Sequence, residues 1–467
     1  MKRNKIEEAL VEVRDEYIAE AAGVKKKPRL APWMGAVAAV LIVAILCGIL
    51  LRSVTEPVTA HAYGLIAAPE YPEMAPYPDG YTGFAEWHAS QRQQYDQPAG
   101  YADSLNKYFS DCMQIILSDS DGQNVVCSPV NIYMALALLA ETTDGNSRQQ
   151  LLDLLGAESI DALRTQANHV WNAHYCADNA TTLTLGNSLW LNEGLNYAPS
   201  TVKTLTDSYY ASVYQGKLGS SKMNKSLQDW LNAQTGGFLE EYASKETLSP
   251  ETFFALASTI YYRVKWADQF SEKANTEGVF HAKHGDVTHT FMNQTLSYGP
   301  YYYGDGFSAV QLALEDSGRM WLILPDEGCS TEDVLSSGTL DTLLNGTARS
   351  SSLRVNLSLP KFNISSGLEL SGSLQKMGIS DVFNPAISNY SALLPNSSEV
   401  YLGRISHAAR VSIDEEGIEA AAYTVLENCG AAISPEDEID FVLDRPFAFV
   451  IESRDGLPLF AGIVNQP

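Results

Sequence analysis

Five residues at alternate positions of one stretch share small or apolar side chains: Ile418, Ala420, Ala422, Thr424 and Leu426. Successive side chains of a β-strand point to opposite faces, so these five would share one face of a strand and could be buried together. Glu419, Tyr423 and Glu427 lie on the other face. The pattern therefore permits a strand with one buried face, which the small and apolar side chains would occupy.

A second interpretation of the same stretch is a short helix. Ala and Glu are good helix formers, and the stretch follows a turn at Glu415-Glu416-Gly417. The residues after it, from Asn428 to Asp437, are small, polar or turn-forming, which indicates an exposed loop. The local pattern leaves the helix and the strand open.

Several elements around this stretch are predicted from periodicity and capping. Ser128-Pro129 begins a helix whose residues 134–140 are apolar on all sides, which indicates a buried helix. Residues 411–413, 320–325 and 353–362 have strand patterns, and residues 447–452 and 457–464 form a hairpin around Arg454-Asp455-Gly456.

The segment 414–422, with the sequence DEEGIEAAA, resembles the hinge of the reactive loop of the serpins, a family of serine protease inhibitors. The resemblance runs in order from about Tyr101 to Pro467. Its other segments are 124–129, 143–147, 187–190, 231–235, 258–262, 353–362, 407–410, 445–449 and 459–467. We expect a bacterial, membrane-anchored member of this family.

The resemblance implies an α+β fold with three β-sheets, eight or nine helices and an exposed reactive loop. It implies a suicide substrate of extracellular serine proteases and not an enzyme: the protease serine attacks a loop carbonyl, and the cleaved loop inserts into the main sheet. The hinge residues are then Glu415, Glu416, Gly417, Ile418, Glu419, Ala420, Ala421, Ala422 and Thr424. Many inhibitory members have Thr or Ser where this chain has Ile418, so slower insertion is expected. The alternative is a non-inhibitory serpin that serves as a cell-surface binding or structural module.

The resemblance also brings Ser128, Asn131, Ser258 and His407 together where the main sheet opens. The family usually has Ser in place of Asn131 and Asn in place of Ser258. We hypothesise an exchange in which one amide and one hydroxyl still meet His407, from opposite sides. The alternative is that each residue is tolerated independently.

The scissile bond is predicted by counting about sixteen residues forward from Glu415, as in the family, which gives Ala431-Ala432. Counting back from Pro446 gives a bond near Pro435, but the inserted length is fixed by the sheet, and most serine proteases reject a proline after the scissile bond. Cys429-Gly430 and Ala432-Ile433 stay open as alternatives. A small residue before the bond suits the shallow pocket of elastase-like or subtilisin-like proteases and not the acidic pocket of trypsin-like ones.

Composition excludes other function classes. The net charge is −25, which argues against a nucleic-acid partner. No nucleophile elbow, HExxH motif or P-loop occurs, so no catalytic site and no cofactor are predicted. His281, His284 and His289 have a spacing that could hold a metal, but the preferred interpretation is that they lie on a polar hairpin surface. The protein is expected to be a monomer. Cys429 in the loop is read as a tolerated small residue, with a redox-sensitive thiol as the alternative.

The N-terminus predicts a single-pass membrane protein. Residues 33–51 contain no charge, follow four basic residues and are long enough to span a bilayer. We therefore predict a cytoplasmic segment (1–29), a transmembrane anchor (30–52), a Pro/Tyr-rich stalk (53–100) and an extracellular serpin-like domain (101–467). A secreted protein, cleaved after Ala60-His61-Ala62, is an alternative. A lipid anchor on Cys47 is a weaker one, because Leu46 is large where such motifs need a small residue.

Overall fold

The computed structural model describes residues 63–78, 82–118, 120, 122–315, 317–397, 399–402, 405–418 and 437–467. Residues 60–467 form one compact unit. The predicted cytoplasmic segment and transmembrane anchor lie outside the described ranges. Within those ranges, no helix has both the length and the hydropathy required to cross a bilayer.

The described residues contain twelve α-helical segments, more than the eight or nine predicted. They are α1 (Phe84–Ser90), α2 (Arg92–Tyr95), α3 (Asn106–Leu117), α4 (Pro129–Thr142), α5 (Gly145–Leu154), α6 (Ile160–His174), α7 (Pro199–Tyr209), α8 (Ser221–Gln234), α9 (Glu240–Ala243), α10 (Thr331–Ser336), α11 (Thr339–Leu344) and α12 (Ser371–Lys376). Six of them are shorter than eight residues, and segments of one or two turns leave little periodic signal in a sequence.

Seventeen strands are described. They are β1 (Leu65–Ala67), β2 (Val125–Cys127), β3 (Cys176–Ala177), β4 (Thr182–Asn192), β5 (Ala211–Gly216), β6 (Phe254–Lys265), β7 (Thr276–Ala282), β8 (Gly285–Gly304), β9 (Phe307–Ala313), β10 (Arg319–Pro325), β11 (Arg349–Pro360), β12 (Phe362–Glu369), β13 (Ser406–Ile413), β14 (Gly417–Ile418), β15 (Glu438–Val442), β16 (Phe447–Glu452) and β17 (Pro458–Val464). Strand β10 and the β16–β17 hairpin confirm the predicted strands at those positions.

These strands form two sheets. The first sheet has the order β1-β5-β4-β6-β14-β13-β12, with β3 paired to β4. The second has the order β15-β11-β8-β9-β10-β16-β17-β2, with β7 paired to β8. The prediction of three sheets is therefore wrong for the described residues. Strand β8 is 20 residues long and pairs with β7 at one end and β9 at the other, which joins two regions of sheet into one hydrogen-bonded network.

Helix α4 lies between the two sheets, in contact with β6 of the first and β17 of the second. Ser128 caps the helix, because its hydroxyl accepts a hydrogen bond from the backbone N–H of Asn131. Pro129 occupies the first turn. Thirteen of its fourteen residues are buried, which confirms the predicted buried helix. Any shift between the sheets must therefore repack this helix.

The prediction of a stalk over residues 53–100 is wrong for the part that the structure describes. Residues 63–78 and 82–100, here called the N-terminal strap, pack along the domain. Strand β1 pairs with β5, and the Tyr71 ring stacks on Trp171 and Tyr175 with centroids 5.6 and 5.5 Å apart. Trp87 Nε1 donates a hydrogen bond to Asp178 Oδ2 at 2.8 Å. Proline content indicates an extended backbone but not whether its aromatic neighbours have a surface to stack on.

Candidate functional site

The candidate site is the seam between β6 and β13 in the first sheet. Among the described residues, strand pairing between β6 and β13 runs through Gly417 and Ile418 alone. Ile418 pairs antiparallel with Ile413 on one side and Val264 on the other, and it is buried. The first residues of the predicted loop hinge are thus already a strand of this sheet, which favours the strand interpretation over the helix at this position. The hinge residues from Glu419 to Thr424 lie outside the described residues.

The turn that leads into β14 is held by hydrogen bonds from Trp266. Its backbone amide donates to the Glu416 carbonyl at 3.0 Å, and its indole Nε1 donates to the Asp414 carbonyl at 2.8 Å. The Asp414 carboxylate accepts hydrogen bonds from the amides of Glu416 and Gly417, an Asx-type turn. The turn is therefore fixed both by its own side chain and by the loop that follows β6.

Glu415 is buried and anchors the hinge to Lys361, between β11 and β12, and to Asn275, just before β7. Its Oε1 atom contacts Lys361 Nζ and accepts a hydrogen bond from Asn275 Nδ2, both at 2.5 Å. Burial alone raises the pKa of the Glu415 carboxyl, but the hydrogen bonds and the charge of Lys361 outweigh it, so the pKa lies below its usual value. A buried, paired carboxylate of this kind positions the turn, since removing its partner would leave a charge unpaired.

Gly417 makes the closest backbone contact at the seam. A Cβ atom built on it would lie 2.3 Å from the Val264 carbonyl oxygen and 2.6 Å from Lys265 Cα. Both contacts are with backbone atoms, which have little freedom to move. Glycine is required here by the close approach of strand β6 and not by an unusual backbone angle.

The four predicted sheet-opening residues do lie together, about one strand length from the hinge. Ser258 Oγ on β6 donates a hydrogen bond to Asn131 Oδ1 on α4 at 2.5 Å, and Asn131 Nδ2 donates to the Ser258 carbonyl at 3.3 Å. His407 Nε2 on β13 accepts a hydrogen bond from the Ser128 amide at 3.0 Å. The side-chain amide of Asn131 and the hydroxyl of Ser258 thus contact each other, while His407 accepts a hydrogen bond from the backbone at the start of α4. The geometry brings the exchanged pair together but does not show the hydrogen bonds to His407 that we hypothesised.

Asn187 on β4 is a member of this cluster that our sequence analysis did not single out. Its Oδ1 atom lies 2.9 Å from Ser258 Oγ, and its Nδ2 donates to the Tyr209 carbonyl at 2.8 Å. The Ser258 hydroxyl has one proton for two amide oxygens, so it can satisfy only one at a time. The signal that could have found it is the polar pair Asn187-Ser188, which lies between apolar residues in the buried part of β4.

His407 is neutral at physiological pH. It is buried, and this burial lowers its pKa from 6.5 to about 4. With Nε2 accepting a hydrogen bond, protonation of the ring would break that bond and place a charge beneath the seam. The cluster is therefore sensitive to protonation at one atom.

Two of the three histidines that were candidates for a metal site have their own hydrogen-bond partners. His281 Nδ1 donates to Asp286 Oδ1 at 2.9 Å, and His289 Nε2 donates to the Lys361 carbonyl at 2.6 Å. In the described ranges no three His, Cys, Asp or Glu residues are placed to hold a metal ion. Cys112, Cys127 and Cys176 are buried, and Cys329 is exposed. Cys429 and the predicted scissile bond Ala431-Ala432 lie outside the described residues.

A family model described as serpin, serine protease inhibitor, matches residues 104–467. This chain belongs to the serpin family.

The relatives are of low identity but match over most of their length. Serpin-ZX of Arabidopsis thaliana is 28% identical over 370 residues, which cover 76% of this chain and 94% of that protein. Leukocyte elastase inhibitor of Homo sapiens is 26% identical over 381 residues, which cover 78% and 99%. The crystal structure of the thermophilic serpin tengpin in its native state has a TM-score of 0.71 at 20% identity, covering 85% of this chain and 97% of that one. The named relatives are from plants and animals, so a bacterial source stays a prediction.

Proposed function

We propose that this protein is a suicide-substrate inhibitor of extracellular serine proteases of the elastase-like or subtilisin-like class. The observation that carries the proposal is the position of Gly417 and Ile418 between β6 and β13, where a cleaved loop would extend an existing strand. The names of two relatives indicate the same kind of function, since one is called an antiproteinase and another a leukocyte elastase inhibitor.

The register at Ile418 determines where each later residue would lie on insertion. Ile418 faces Val264 and Ile413, so a residue six positions further along would face residues six positions back on each strand. Thr424 would then lie between Ser258 and His407, inside the sheet-opening cluster. Alternate residues of β13 from His407 to Ile413 are buried, so the matching positions 420, 422 and 424 would be buried too. Their small side chains fit that position, and the Thr424 hydroxyl would have polar partners there.

The proposed reaction uses the protease's own chemistry. The protease serine attacks the Ala431 carbonyl carbon, the bond to the Ala432 nitrogen breaks, and the new amine leaves with a proton from the protease histidine. The ester that joins Ala431 to the protease would normally be hydrolysed by water. Insertion of residues 419–431 pulls the ester and the protease along the sheet, over roughly 43 Å for thirteen strand residues, and distorts the active site before water attacks.

We also propose that residues 33–51 anchor the chain in the membrane, with the N-terminus in the cytoplasm and the inhibitory domain outside. The support is the uncharged 19-residue run and the basic residues before it. Cleavage after Ala62 would give a secreted inhibitor instead, and sequencing of the mature N-terminus distinguishes the two.

The decisive experiment is incubation of the full chain with elastase, followed by denaturing gel electrophoresis. An inhibitor forms a band that contains both proteins and survives denaturant, because the link is an ester. A non-inhibitory surface module gives no such band, only intact or cleaved chain. Glu419→Arg is the matched control for substitutions on the inserted face, because Glu419 belongs to the opposite face and this variant should still form the complex.

A further inference from the structure

An exposed apolar patch lies at the outer edge of the first sheet. Strand β1 is the edge strand in the described part of this sheet, and Tyr63, Leu65 and Ile66 are 47%, 38% and 44% exposed. Adjacent apolar residues both exposed on one short edge strand are unusual in a soluble domain, because such edges are normally blunted by charges or covered.

Basic residues surround this patch although the chain is strongly acidic. Residues 211–228 contain Lys217, Lys222 and Lys225 and no Asp or Glu, whereas the net charge of the chain is −25. All three lysines are exposed, and Lys222 Nζ lies 5.3 Å from the centroid of the Tyr63 ring. Lys225 pairs with Asp229 on the same helix. Lys222 lies over the Tyr63 ring, and Lys217 follows Gly216, where a built Cβ atom would lie 3.5 Å from that ring. Aromatic, aliphatic and basic side chains together are typical of surfaces that rest on anionic lipid headgroups.

The strand register places this patch at the end of the domain opposite the hinge. Leu65 is paired with Tyr214, Tyr214 with Trp190, and Trp190 with Ala255 on β6. Gly417 is paired with Lys265 at the other end of the same strand. Ten strand residues, or roughly 33 Å, therefore separate the level of the patch from the level of the hinge.

The chain connects this end of the domain to the predicted anchor by a short segment. Residues 52–62, eleven in number, lie between the uncharged run and Tyr63. Eleven residues span at most about 40 Å even when fully extended. Tyr63 is thus the described residue that is nearest along the chain to the predicted anchor.

We propose that a base patch, formed by Tyr63, Leu65, Ile66, Lys217 and Lys222, rests on anionic lipid headgroups of the bilayer and directs the reactive loop away from it. The inference depends on the membrane anchoring proposed above. Three partly inserted side chains and two cations bind lipid only weakly, but the tether gives them a high effective concentration, so weak binding is sufficient. Loop insertion would carry a trapped protease toward the end of the domain that holds the base patch. The contact between the base patch and the bilayer therefore belongs to the inhibitor before cleavage.

The test uses the full chain in nanodiscs that contain a headgroup spin-labelled lipid. In a Cys47→Ser, Cys329→Ser, Cys429→Ser background, the single variants I66C and V279C are labelled with a fluorescent bimane. Val279 is a matched control, since it is a strand residue, 45% exposed, four positions after the Asn275 that contacts the hinge. We expect lipid quenching several-fold stronger at position 66 than at 279. Quenching at 66 should fall when zwitterionic lipid replaces anionic lipid and in the variant with both K217E and K222E.

The outcomes separate the two proposals. If an alkaline wash removes the full chain from vesicles, the anchoring proposal fails and the base patch fails with it. If the chain stays in the membrane but both positions are quenched equally, the base patch alone is wrong. If the probe at position 66 is shielded from aqueous iodide without lipid quenching, a second copy of the chain covers the patch, which also overturns the proposal.

Discussion

Asn131 on α4 and Ser258 on β6 are joined by two hydrogen bonds, across elements that the proposed opening of the main sheet would separate. The Ser258 hydroxyl on β6 donates to the Asn131 amide oxygen on α4 at 2.5 Å, and the Asn131 amide group donates back to the Ser258 carbonyl. The residue types are those of the family in reverse order. The structure therefore supports a relation between these two positions, and the energetic coupling between them can be measured.

Asn131→Ser and Ser258→Asn should be coupled in a double-mutant cycle. Each single substitution leaves a polar group without its partner, which costs roughly 1–3 kcal/mol, whereas the double variant restores an amide and a hydroxyl. We expect a coupling energy above about 1 kcal/mol in denaturant unfolding. Ser226→Asn is the control partner for Asn131→Ser, because Ser226 bonds to the Tyr63 carbonyl instead. Additive effects in both cycles would show that the exchange is coincidental.

Thr424→Arg and Ala420→Arg should convert the inhibitor into a substrate. Both residues belong to the face that faces inward on insertion, and a buried guanidinium raises the barrier to insertion by roughly 3 kcal/mol, a slowing of about a hundredfold. The gel should then show cleaved chain and free protease in place of the stable complex. A complex at wild-type yield from either variant would contradict loop insertion, provided that Glu419→Arg behaves like the wild type.

Elastase should cleave between Ala431 and Ala432 and release a fragment of 36 residues that ends at Pro467. The forward count from Glu415 fixes this bond because the sheet fixes the inserted length. Mass spectrometry of the released fragment gives its first residue directly. A first residue other than Ala432 refutes the assignment, and strong inhibition of trypsin without inhibition of elastase refutes the specificity.

The stability of the native state should fall with decreasing pH because of His407. Its pKa is about 4 in the folded protein and about 6.5 when exposed, so the unfolded state binds more protons between these values. The stabilisation from neutral His407 is complete above pH 6.5 and is lost as the pH falls toward 4, by about 3 kcal/mol in total. Unfolding measured from pH 7 to 4 should show this slope in the wild type, and His407→Gln should lack it. His174, which is also buried with a lowered pKa, is present in both proteins and so cancels in the difference.

Tyr71→Ala should destabilise the domain by roughly 3 kcal/mol. The Tyr71 ring stacks on three aromatic rings of the domain, Trp171, Tyr175 and Tyr210, and its removal leaves a cavity beneath the N-terminal strap. Thermal and denaturant unfolding should both report the loss, whereas Tyr401→Ala, at a site that is 52% exposed, should have little effect. Equal stability of the two variants would mean that the strap is only a tether.

The sequence alone predicted the structure correctly where a residue's role is local or belongs to the family motif. Ser128 and Pro129 determine the start of α4, and the hinge motif indicated the turn that Asp414 and Gly417 form. It failed where distant segments meet. The packing of Tyr71 depends on a surface formed by α6 and α7, the merging of two sheet regions depends on the pairing along β8, and the role of Asn187 depends on a neighbour 71 positions away.

In the mechanism proposed above, the pairing of Ile418 with both Ile413 and Val264 has a kinetic consequence. A protease bound through an ester is either released by water or trapped by insertion, and the ratio of the two rates sets how many inhibitor molecules are consumed for each protease captured. The slow step in forming an ordered segment is the formation of its first hydrogen-bonded pairing, as it is when a helix nucleates. In the proposed mechanism, the first strand pairing, at Ile418, exists before the protease arrives, so insertion begins as elongation, and this opposes the slower insertion expected from the bulk of the Ile418 side chain.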